Sequence, residues 1–442
     1  MLMRILVLTI FKEGLGGGAG RVPFDMALAL SKDNDVALIC PGARTGILSK
    51  KKNLVIFTIK ANIRKNVSLA IWSRRNLSLF TSFIDDFNPD VIHANDFVDI
   101  DFYGMMYSIK KGIPFFYTGH VLPSKALEFS VPKILVPASR VIEKTSLKAY
   151  LKKFLSLCDG IITLNNESYR DHHRICSKKK LYVIQNGKDL GIYGKTPIAA
   201  QSIRKTLIFI GFMSERKNQA YLIEAMRFLP GDYKLLLVGE ELHSGYVSKL
   251  KKMCVKYNLP NVEFVGSVDY LKIPSLISKA GLFVSASRME VQSLVVLEAL
   301  ASGRPVVGLR NETISELING KNGTALKKNA GPESFAKAVA SILEKDDSSY
   351  KKMCTEARKS VADFGWPVVE KKIMRMYEEG KKNYRMKDAG NIMEFYRRVN
   401  LYLSSALNSF FRIEAKTKKQ IKKAKNSRYI RNIKNAFSDF VI

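Results

Sequence analysis

The chain has 442 residues, of which 46% are hydrophobic, and its mean hydropathy is −0.06. A chain of this length and composition can bury full-sized cores, which excludes a mostly disordered protein and predicts two or three domains. The 72 Lys and Arg residues outnumber the 40 Asp and Glu residues, giving a net charge of +32, and this surplus predicts an anionic partner: nucleic acid, a phosphate-bearing substrate or an acidic membrane surface.

Short apolar runs alternate with helix-length segments in the first 190 residues. The predicted strands are 5–9, 36–40, 91–93, 115–118, 160–164 and 181–185, with helices at 22–31 and 69–87. The alternation restarts with strands at 207–211, 234–239, 262–266, 281–285 and 305–308, and with helices at 219–228, 247–257, 275–278 and 292–302. Such alternation indicates an α/β fold with two doubly wound, Rossmann-like domains, at 1–190 and 191–365, whose ligands bind in a cleft at the carboxyl ends of the strands.

The C-terminal segment differs from both series. Residues 380–442 contain 16 Lys and Arg but 4 Asp and Glu, a net charge of +12. Apolar residues, among them Ile392, Tyr396 and Val399, recur there at steps of three and four. This pattern predicts a basic, amphipathic helical tail over 381–442.

Five dispersed cysteines without a Cys-x-x-Cys pair are typical of reduced thiols in a cytosol. No apolar run reaches the roughly 18 residues of a membrane-spanning helix. We therefore expect a cytoplasmic protein without a spanning segment.

A glycine-rich segment, Gly14-Leu-Gly-Gly-Gly-Ala-Gly20, lies between the first strand and the first helix. Glycines there let backbone N–H groups approach a phosphate at a helix N-terminus. The candidates for this contact are Gly16, Gly17, Gly18 and Gly20. The spacing also fits a dinucleotide site, but the second strand ends without the carboxylate that would hold a ribose, and a plain flexible turn stays a further alternative.

Two glutamates eight residues apart, Glu290 and Glu298, flank the predicted helix 292–302. Eight residues are just over two helical turns, so both carboxylates can face one cleft and accept hydrogen bonds from sugar hydroxyls. The N–H groups at the helix start are candidates for binding phosphate; they belong to Val291, Gln292, Ser293, Leu294 and Val295. A capping acid followed by an unrelated helical acid is the alternative.

In its setting, the segment 287–307 resembles the E-x7-E region of glycosyltransferase family 4, the retaining nucleotide-sugar enzymes of GT-B fold. Further segments resemble family motifs in the expected order over residues 1–380: Gly17–Gly20, Thr118-Gly-His120, Val183–Asp189, Gly211–Asn218, Leu237–Gly239, Phe264–Gly266, and Phe364–Trp366 with Tyr377. The sequence departs from these motifs at Gln185 and Lys188 of the "V-I-P-N-G-V-D" linker. It also departs at Phe212, where the phosphate-binding "G-R-L-x-x-x-K" segment has arginine.

The resemblance implies a role for each matching residue. Gly211 and Lys217, with Arg216 supplying the charge missing at Phe212, would bind the donor diphosphate, and Glu298 would hold the ribose. Glu290 would hold the sugar hydroxyls and His120 would lie near the transferred sugar, so His120, Glu290 and Lys217 form the expected catalytic set. A terminal helix at 366–380 would cross back to the first domain. The implied donor is a nucleotide-diphosphate sugar that is UDP-linked, and the implied product is an α-glycoside. The resemblance implies neither a cofactor nor a catalytic metal.

The acceptor is predicted from charge and from a narrower resemblance. Basic segments with apolar positions, at 64–75, 140–154 and twice in the tail, predict peripheral association with an anionic membrane surface at its cytoplasmic face. The segments 118–125 and 290–293 resemble the lipid-glycosylating subset of the family, which implies a lipid hydroxyl acceptor near His93, Pro123 and Lys125. We expect His172 and His173 to be solvated.

Two alternatives stay open at this point. One is transfer to a soluble or polyprenol-linked saccharide during polysaccharide assembly. The other is a basic nucleic-acid-binding protein. This alternative is disfavoured because the sequence shows no helix-turn-helix, no RNP aromatic signature and no zinc pattern.

Overall fold

The computed structural model describes residues 2–63, 68–125, 136–176, 179–242, 245–394 and 396–397, with the side chains of 125 and 136–146 left out. The chain divides into two compact units. The first comprises residues up to Gly187 and the described residues from Trp366 onward, and the second is Lys188–Gly365. Lys188, Asp189 and Leu190, which the sequence placed in the first domain, therefore belong to the second unit.

The first unit is built on one twisted sheet with the strand order β3-β4-β2-β1-β6-β7-β8-β9. Its strands are β1 Arg4–Leu8, β2 Asp35–Gly42, β3 Gly46–Lys51, β4 Leu54–Asn62, β5 Leu69–Ala70, β6 Val91–Ala94, β7 Phe115–Gly119, β8 Gly160–Thr163 and β9 Leu181–Val183. The pairs from β4 to β9 are parallel, whereas β3 and β5 run antiparallel to β4. The predicted parallel sheet is confirmed, with an antiparallel edge that the sequence pattern did not reveal.

Helices cover both faces of this sheet. They are α1 Gly17–Leu30, α2 Arg74–Phe87, α3 Ile100–Lys111, α4 Val136–Leu157 and α5 Asn166–His173. The predicted helix start at residue 69 is wrong, because Leu69–Ala70 pairs with β4 and the hydroxyl of Ser73 caps α2 by accepting from the Asn76 N–H.

The second unit has an all-parallel sheet with the strand order β12-β11-β10-β13-β14-β15. Its strands are β10 Thr206–Ile210, β11 Lys234–Val238, β12 Val262–Gly266, β13 Leu282–Ser285, β14 Val306–Leu309 and β15 Gly323–Leu326. The helices are α6 Leu190–Gly194, α7 Gln201–Arg204, α8 Gln219–Met226, α9 Tyr246–Lys256, α10 Ile273–Ser278, α11 Leu294–Ala301, α12 Glu312–Leu317, α13 Pro332–Leu343 and α14 Asp347–Lys359. Five of these strands lie where the sequence predicts them, and β15 is additional.

The last helix, α15 Trp366–Lys382, is part of the first unit. The residues after it continue into that unit's core: Ile392 and Tyr396 are buried, and the Tyr396 ring stacks on Phe102 with ring centroids 3.6 Å apart. The predicted tail is therefore wrong over 381–397, where the apolar stripe packs inside the protein. Its remainder, 398–442, lies outside the described residues.

The other basic segments also turn their apolar side chains inward. Leu147, Leu151 and Phe154 of α4 are core residues, and the half-buried Trp72 stacks on Tyr103 at 4.0 Å between ring centroids. These residues are thus not membrane anchors, while Lys148 and Lys152 of α4 are exposed. Arg64 and Lys65, and the side chains of Arg140 and Lys144, lie outside the described residues. Within the described part of the chain, no helix has the length and apolar character needed to cross a bilayer.

Candidate active site

The carboxyl ends of three adjacent strands in the second unit carry glycines instead of side chains. Gly211 follows β10, Gly239 follows β11 and Gly266 ends β12, all with positive φ. A Cβ at Gly239 would lie 2.0 Å from the Gly211 carbonyl oxygen, so glycine is required for the two strand ends to approach. The backbone at this edge is therefore accessible to a ligand.

Next to Gly211, the loop before α8 carries Lys217. Its ammonium forms a salt bridge with Glu290, and both residues are about 9% exposed. Arg216 joins the pair with Nη1 at 3.5 Å from the Glu290 carboxylate and also donates to the Met289 carbonyl at 2.9 Å. Lys217 and Glu290, two members of the predicted catalytic set, are thus in direct contact although they lie 73 positions apart in the sequence.

Burial and neighbouring charges act in opposite directions in this cluster. Burial raises the pKa of Glu290, but Lys217 and Arg216 outweigh it and lower that pKa overall. Burial and Arg216 lower the pKa of Lys217, although Glu290 raises it. With two basic side chains to one carboxylate, the cluster has a surplus of basic groups at the carboxyl end of β10. Such a surplus suits a phosphate-bearing ligand.

The second glutamate, Glu298, has a lysine partner of its own. Lys188 Nζ lies 2.6 Å from Glu298 Oε1, and the side chains of both residues are 2% exposed. Tyr270 donates a hydrogen bond to the same oxygen at 2.8 Å. The sequence identified Glu298, but nothing in its spacing pointed to Lys188 or Tyr270.

The helix between the two glutamates begins later than predicted. α11 starts at Leu294 with Ser293 as its N-cap, and the Ser293 N–H donates to Thr313 Oγ1 at 2.9 Å. The Glu290 N–H donates to Glu312 at 2.9 Å, and Val291 and Gln292 also have interaction partners. Of the N–H groups predicted to bind phosphate, that of Ser293 is therefore engaged within the protein, and the first-turn N–H groups of α11 start at Leu294 and Val295.

The glycine-rich segment of the first unit forms the start of α1. Gly16 is the N-cap with φ 79°, and a Cβ there would lie 2.2 Å from the Phe11 ring. Gly17, Gly18 and Gly20 belong to the first turn. The predicted juxtaposition of these glycines with a helix N-terminus is correct, although the helix starts five residues earlier than expected.

His120 lies just beyond β7 and is half-buried. Its Nε2 lies 3.1 Å from Asn95 Oδ1, an arrangement that places the ring proton on Nε2 and leaves Nδ1 as an acceptor. Burial lowers the pKa of His120 to about 4. The side chain is therefore a neutral imidazole at physiological pH.

His172 supports the turn before His120 and is buried, not solvated as predicted. Its Nδ1 lies 2.8 Å from the Ser168 carbonyl oxygen, so Nδ1 carries the proton. A Cβ at Gly119 would lie 2.5 Å from the His172 ring. His173 is exposed, in agreement with the prediction.

His93 is fully buried, which corrects its prediction as an acceptor-side residue. Nδ1 lies 2.6 Å from the Tyr377 hydroxyl of α15, and Nε2 lies 2.7 Å from Thr118 Oγ1. Burial and the neighbouring His120 lower the pKa of His93 to about 3. Because both ring nitrogens are occupied, His93 is a core residue that connects β6, β7 and α15.

Pro123 and Lys125 form one 3₁₀ turn, in which the Ser124 N–H donates to Asp171 at 2.9 Å. Pro123 is half-buried, and the Lys125 side chain lies outside the described residues. The resemblance to the lipid-glycosylating subset implies that 123–129 would line the entry of the lipid, and residues 126–129 also lie outside the described residues.

The carboxyl end of β6 carries aspartates that the sequence analysis did not select. Asp101 accepts from the Asn95 and Asp96 N–H groups at 2.8 and 3.0 Å, while Asp99 accepts from the Ala70 N–H and the Trp72 ring at 2.7 and 2.6 Å. Burial raises the pKa of Asp96 to about 8 and that of Asp99 to about 6. The carboxylates of Asp99 and Asp101 thus accept hydrogen bonds from residues of neighbouring segments. Asp99 is the N-cap residue of α3, but its side chain makes no capping hydrogen bond.

Two known families cover most of the chain. The family described as Glycosyltransferase Family 4 matches residues 16–191, and the family described as Glycosyl transferases group 1 matches residues 196–360. The chain is a glycosyltransferase of the family 4 type. The two matches fall on the two units described above.

Known proteins similar to this glycosyltransferase carry different names. An alpha-monoglucosyldiacylglycerol synthase of Streptococcus pneumoniae is 26% identical over 57% of the chain and 59% of that protein. A GDP-mannose-dependent alpha-mannosyltransferase of Corynebacterium glutamicum is 23% identical over 78% of the chain and 81% of that protein. The crystal structure of Anabaena Alr3699/HepE in complex with UDP-glucose shares the fold, with a TM-score of 0.63 and 18% identity over 85% of the chain and 99% of that structure. The expected GT-B fold is confirmed.

Proposed function

We propose that this glycosyltransferase transfers a hexose from a nucleotide-diphosphate sugar, UDP-linked, to the hydroxyl of a membrane lipid, with retention to give an α-glycoside. The observation that carries the proposal is the Lys217–Arg216–Glu290 cluster at the glycine-bearing carboxyl end of β10. The similar protein named a monoglucosyldiacylglycerol synthase and the similar fold solved with UDP-glucose support the lipid and the donor base.

In the proposed reaction, the bond between the anomeric carbon and the diphosphate oxygen breaks. The electron pair stays on the diphosphate, the acceptor oxygen bonds to the anomeric carbon, and the acceptor proton is released. Lys217 and Arg216 stabilise the charge that develops on the leaving diphosphate, which is the largest catalytic contribution we assign. Because these side chains supply the positive charge, we propose no catalytic metal and no cofactor beyond the donor.

Glu290 is proposed to accept hydrogen bonds from the sugar hydroxyls while it holds Lys217. The first-turn N–H groups of α1 and α11 would add donors for the phosphates. For His120 we propose a contact with the transferred sugar through a neutral imidazole, since its pKa lies near 4. The exposed lysines of α4 are proposed to hold the enzyme peripherally at an anionic, cytoplasmic membrane face.

The test is an incubation with radiolabelled UDP-glucose or GDP-mannose and lipid vesicles, followed by partition into organic solvent. We expect label in the lipid phase with a UDP-sugar, about a hundredfold to a thousandfold less for Lys217→Ala, and about a hundredfold less for His120→Ala. Lys234→Ala removes an exposed lysine that pairs with Glu263 at 3.0 Å and should leave transfer unchanged.

Three outcomes contradict the proposal. Turnover that requires an added oligosaccharide would favour the saccharide acceptor, and transfer from GDP-mannose alone would reverse the donor assignment. Salt-dependent retention of RNA or DNA without sugar transfer would favour nucleic-acid binding.

A further inference from the structure

Lys188 is a buried cation where the family pattern that the chain resembles has valine. It is the first residue of the second unit, and its N–H donates to the Phe364 carbonyl at 2.8 Å. Its side chain is 2% exposed and reaches Glu298 at 2.6 Å. A buried lysine of this kind persists when a carboxylate neutralises it, because desolvation of a lone ammonium costs several kcal/mol.

Two tyrosines complete the surroundings of this pair. Tyr270 donates to Glu298 Oε1 at 2.8 Å, and the Tyr193 and Tyr270 hydroxyls lie 2.7 Å apart. Lys188 Nζ lies 4.7 Å from the centre of the Tyr270 ring. Burial lowers the pKa of Lys188, but Glu298 and Tyr270 outweigh it and raise that pKa overall, so the lysine is charged.

The two oxygens of Glu298 have different surroundings. Oε1 accepts from Tyr270 and forms the ion pair with Lys188. Oε2 is buried and has no hydrogen-bond partner among the described residues. A carboxylate oxygen without a partner is costly in a buried site, so Oε2 is the acceptor that remains for a ligand hydroxyl.

We propose that Lys188 is a positioning residue for the donor, which holds Glu298 through Oε1 and leaves Oε2 alone to accept from one ribose hydroxyl. This inference rests on the proposed function, since it requires a nucleotide donor in the second unit. It adds a specificity that the two-glutamate motif does not imply, because a carboxylate with both oxygens available would accept from the 2′- and 3′-hydroxyls alike.

The test measures binding of UDP, 2′-deoxy-UDP and 3′-deoxy-UDP by calorimetry. For the wild type, we expect removal of one of the two hydroxyls to weaken binding by about tenfold or more, and removal of the other by less than about twofold. Equal losses for both deoxynucleotides, or no loss for either, would overturn the proposed single-oxygen contact.

Lys188→Met separates positioning from mere folding. Without the ion pair, Oε1 is free to accept as well, so we expect UDP binding about tenfold weaker and a smaller difference between 2′-deoxy-UDP and 3′-deoxy-UDP than in the wild type. Lys188→Arg, which keeps the cation, should restore both the affinity and that difference. Glu298→Gln should bind UDP weakly.

Two further variants keep the test decisive. Tyr270→Phe removes one donor to Oε1 without leaving a charge unpaired, and we expect a smaller loss of about threefold to tenfold. The matched control is Lys205→Met, because Lys205 also pairs with an aspartate, Asp232, and lies 5.1 Å from the centre of the Tyr233 ring, but is exposed. It should bind as the wild type does.

The outcomes distinguish the two proposals. If neither UDP nor a UDP-sugar binds the wild type, the proposed function fails. If UDP binds and Lys188→Met keeps the wild-type affinity and the wild-type difference between the two deoxynucleotides, the role of Lys188 is overturned while the proposed function stands.

Discussion

The strand ends that bear the candidate site residues treat buried polar groups in opposite ways in the two units. In the second unit, Lys217 with Glu290 and Lys188 with Glu298 are buried charges that neutralise one another. At the carboxyl ends of β6 and β7 in the first unit, the buried groups are neutral: burial depresses the pKa of His93 and His120 to about 3 and about 4.

Asp96, which follows β6, obeys the same rule. Burial raises the pKa of Asp96 to about 8, so this carboxyl is mostly protonated at neutral pH. The difference between the strand ends matches the proposed substrates, since a diphosphate requires positive charge and a hydroxyl acceptor does not. A buried ion pair of the first unit, Lys387 with Asp159, lies at the start of β8 and not at these carboxyl ends, while Lys148 and Lys152 are exposed.

The largest effect should follow from breaking a charged pair. Glu290→Gln leaves Lys217 buried beside Arg216 without an anion, and we expect the second unit to lose about 3 kcal/mol of unfolding free energy in urea titrations. Glu263→Gln removes the partner of Lys234, an exposed pair with both side chains 52% exposed, and should change stability little. Equal stability of the two variants would show that burial of charge does not distinguish the second unit.

Part of this contrast was predictable from the sequence. Polar and charged residues follow the near-continuous apolar strands in recognisable motifs. Glu290, Lys217 and His120 are therefore predictable from these motifs alone. The edge strand β3 was not predicted, because it is mostly exposed, as an edge strand is, and has no buried run to detect. The neighbouring β4 was missed as well, although it lies between β3 and β2 and carries a largely apolar run at 54–59.

Long-range partners explain the other failures. His93 and His120 both follow apolar strands, and what separates them is Tyr377, which meets His93 from 284 residues away. Lys188 similarly reaches Glu298 across 110 positions, and no local periodicity links residues so far apart. Local sequence patterns thus predict which side chains lie at a strand end. Whether such a side chain belongs to the core or to the functional site depends on a partner that is distant in the sequence.

The exposed charge of the first unit provides the second prediction. Each lysine near an anionic leaflet contributes about 1 kcal/mol, so Lys148→Gln with Lys152→Gln should weaken binding to phosphatidylglycerol vesicles by about 2 kcal/mol, or roughly thirtyfold, in sedimentation assays at low salt. The matched control is Lys205→Gln with Lys234→Gln, which removes the same charge from the second unit. If both double variants lose vesicle binding equally, the net charge of the protein and not the exposed face of α4 determines its membrane affinity.

The smallest effect concerns the neutral interior of the first unit and its pH dependence. The folded-state pKa of His93 is about 3, below its unfolded value of about 6.5. The unfolded chain therefore binds the proton first as the pH falls, so the contribution of a neutral His93 to stability is complete above pH 6.5 and is lost on the way down to pH 3. His93→Gln removes this titration and should flatten the decline by about 1.4 kcal/mol between pH 5.5 and pH 4.5.

The difference between wild type and variant isolates His93, because His120, Asp96 and Asp99 titrate in both proteins. The matched control is His173→Gln, which removes an exposed histidine and should leave the unfolding free energy at neutral pH unchanged. A His93→Gln slope equal to that of the wild type would mean that His93 accepts a proton in the folded protein. In that case the two units would not differ in how they bury charge, because Tyr377 and Thr118 would then hold an imidazolium in the core of the first unit.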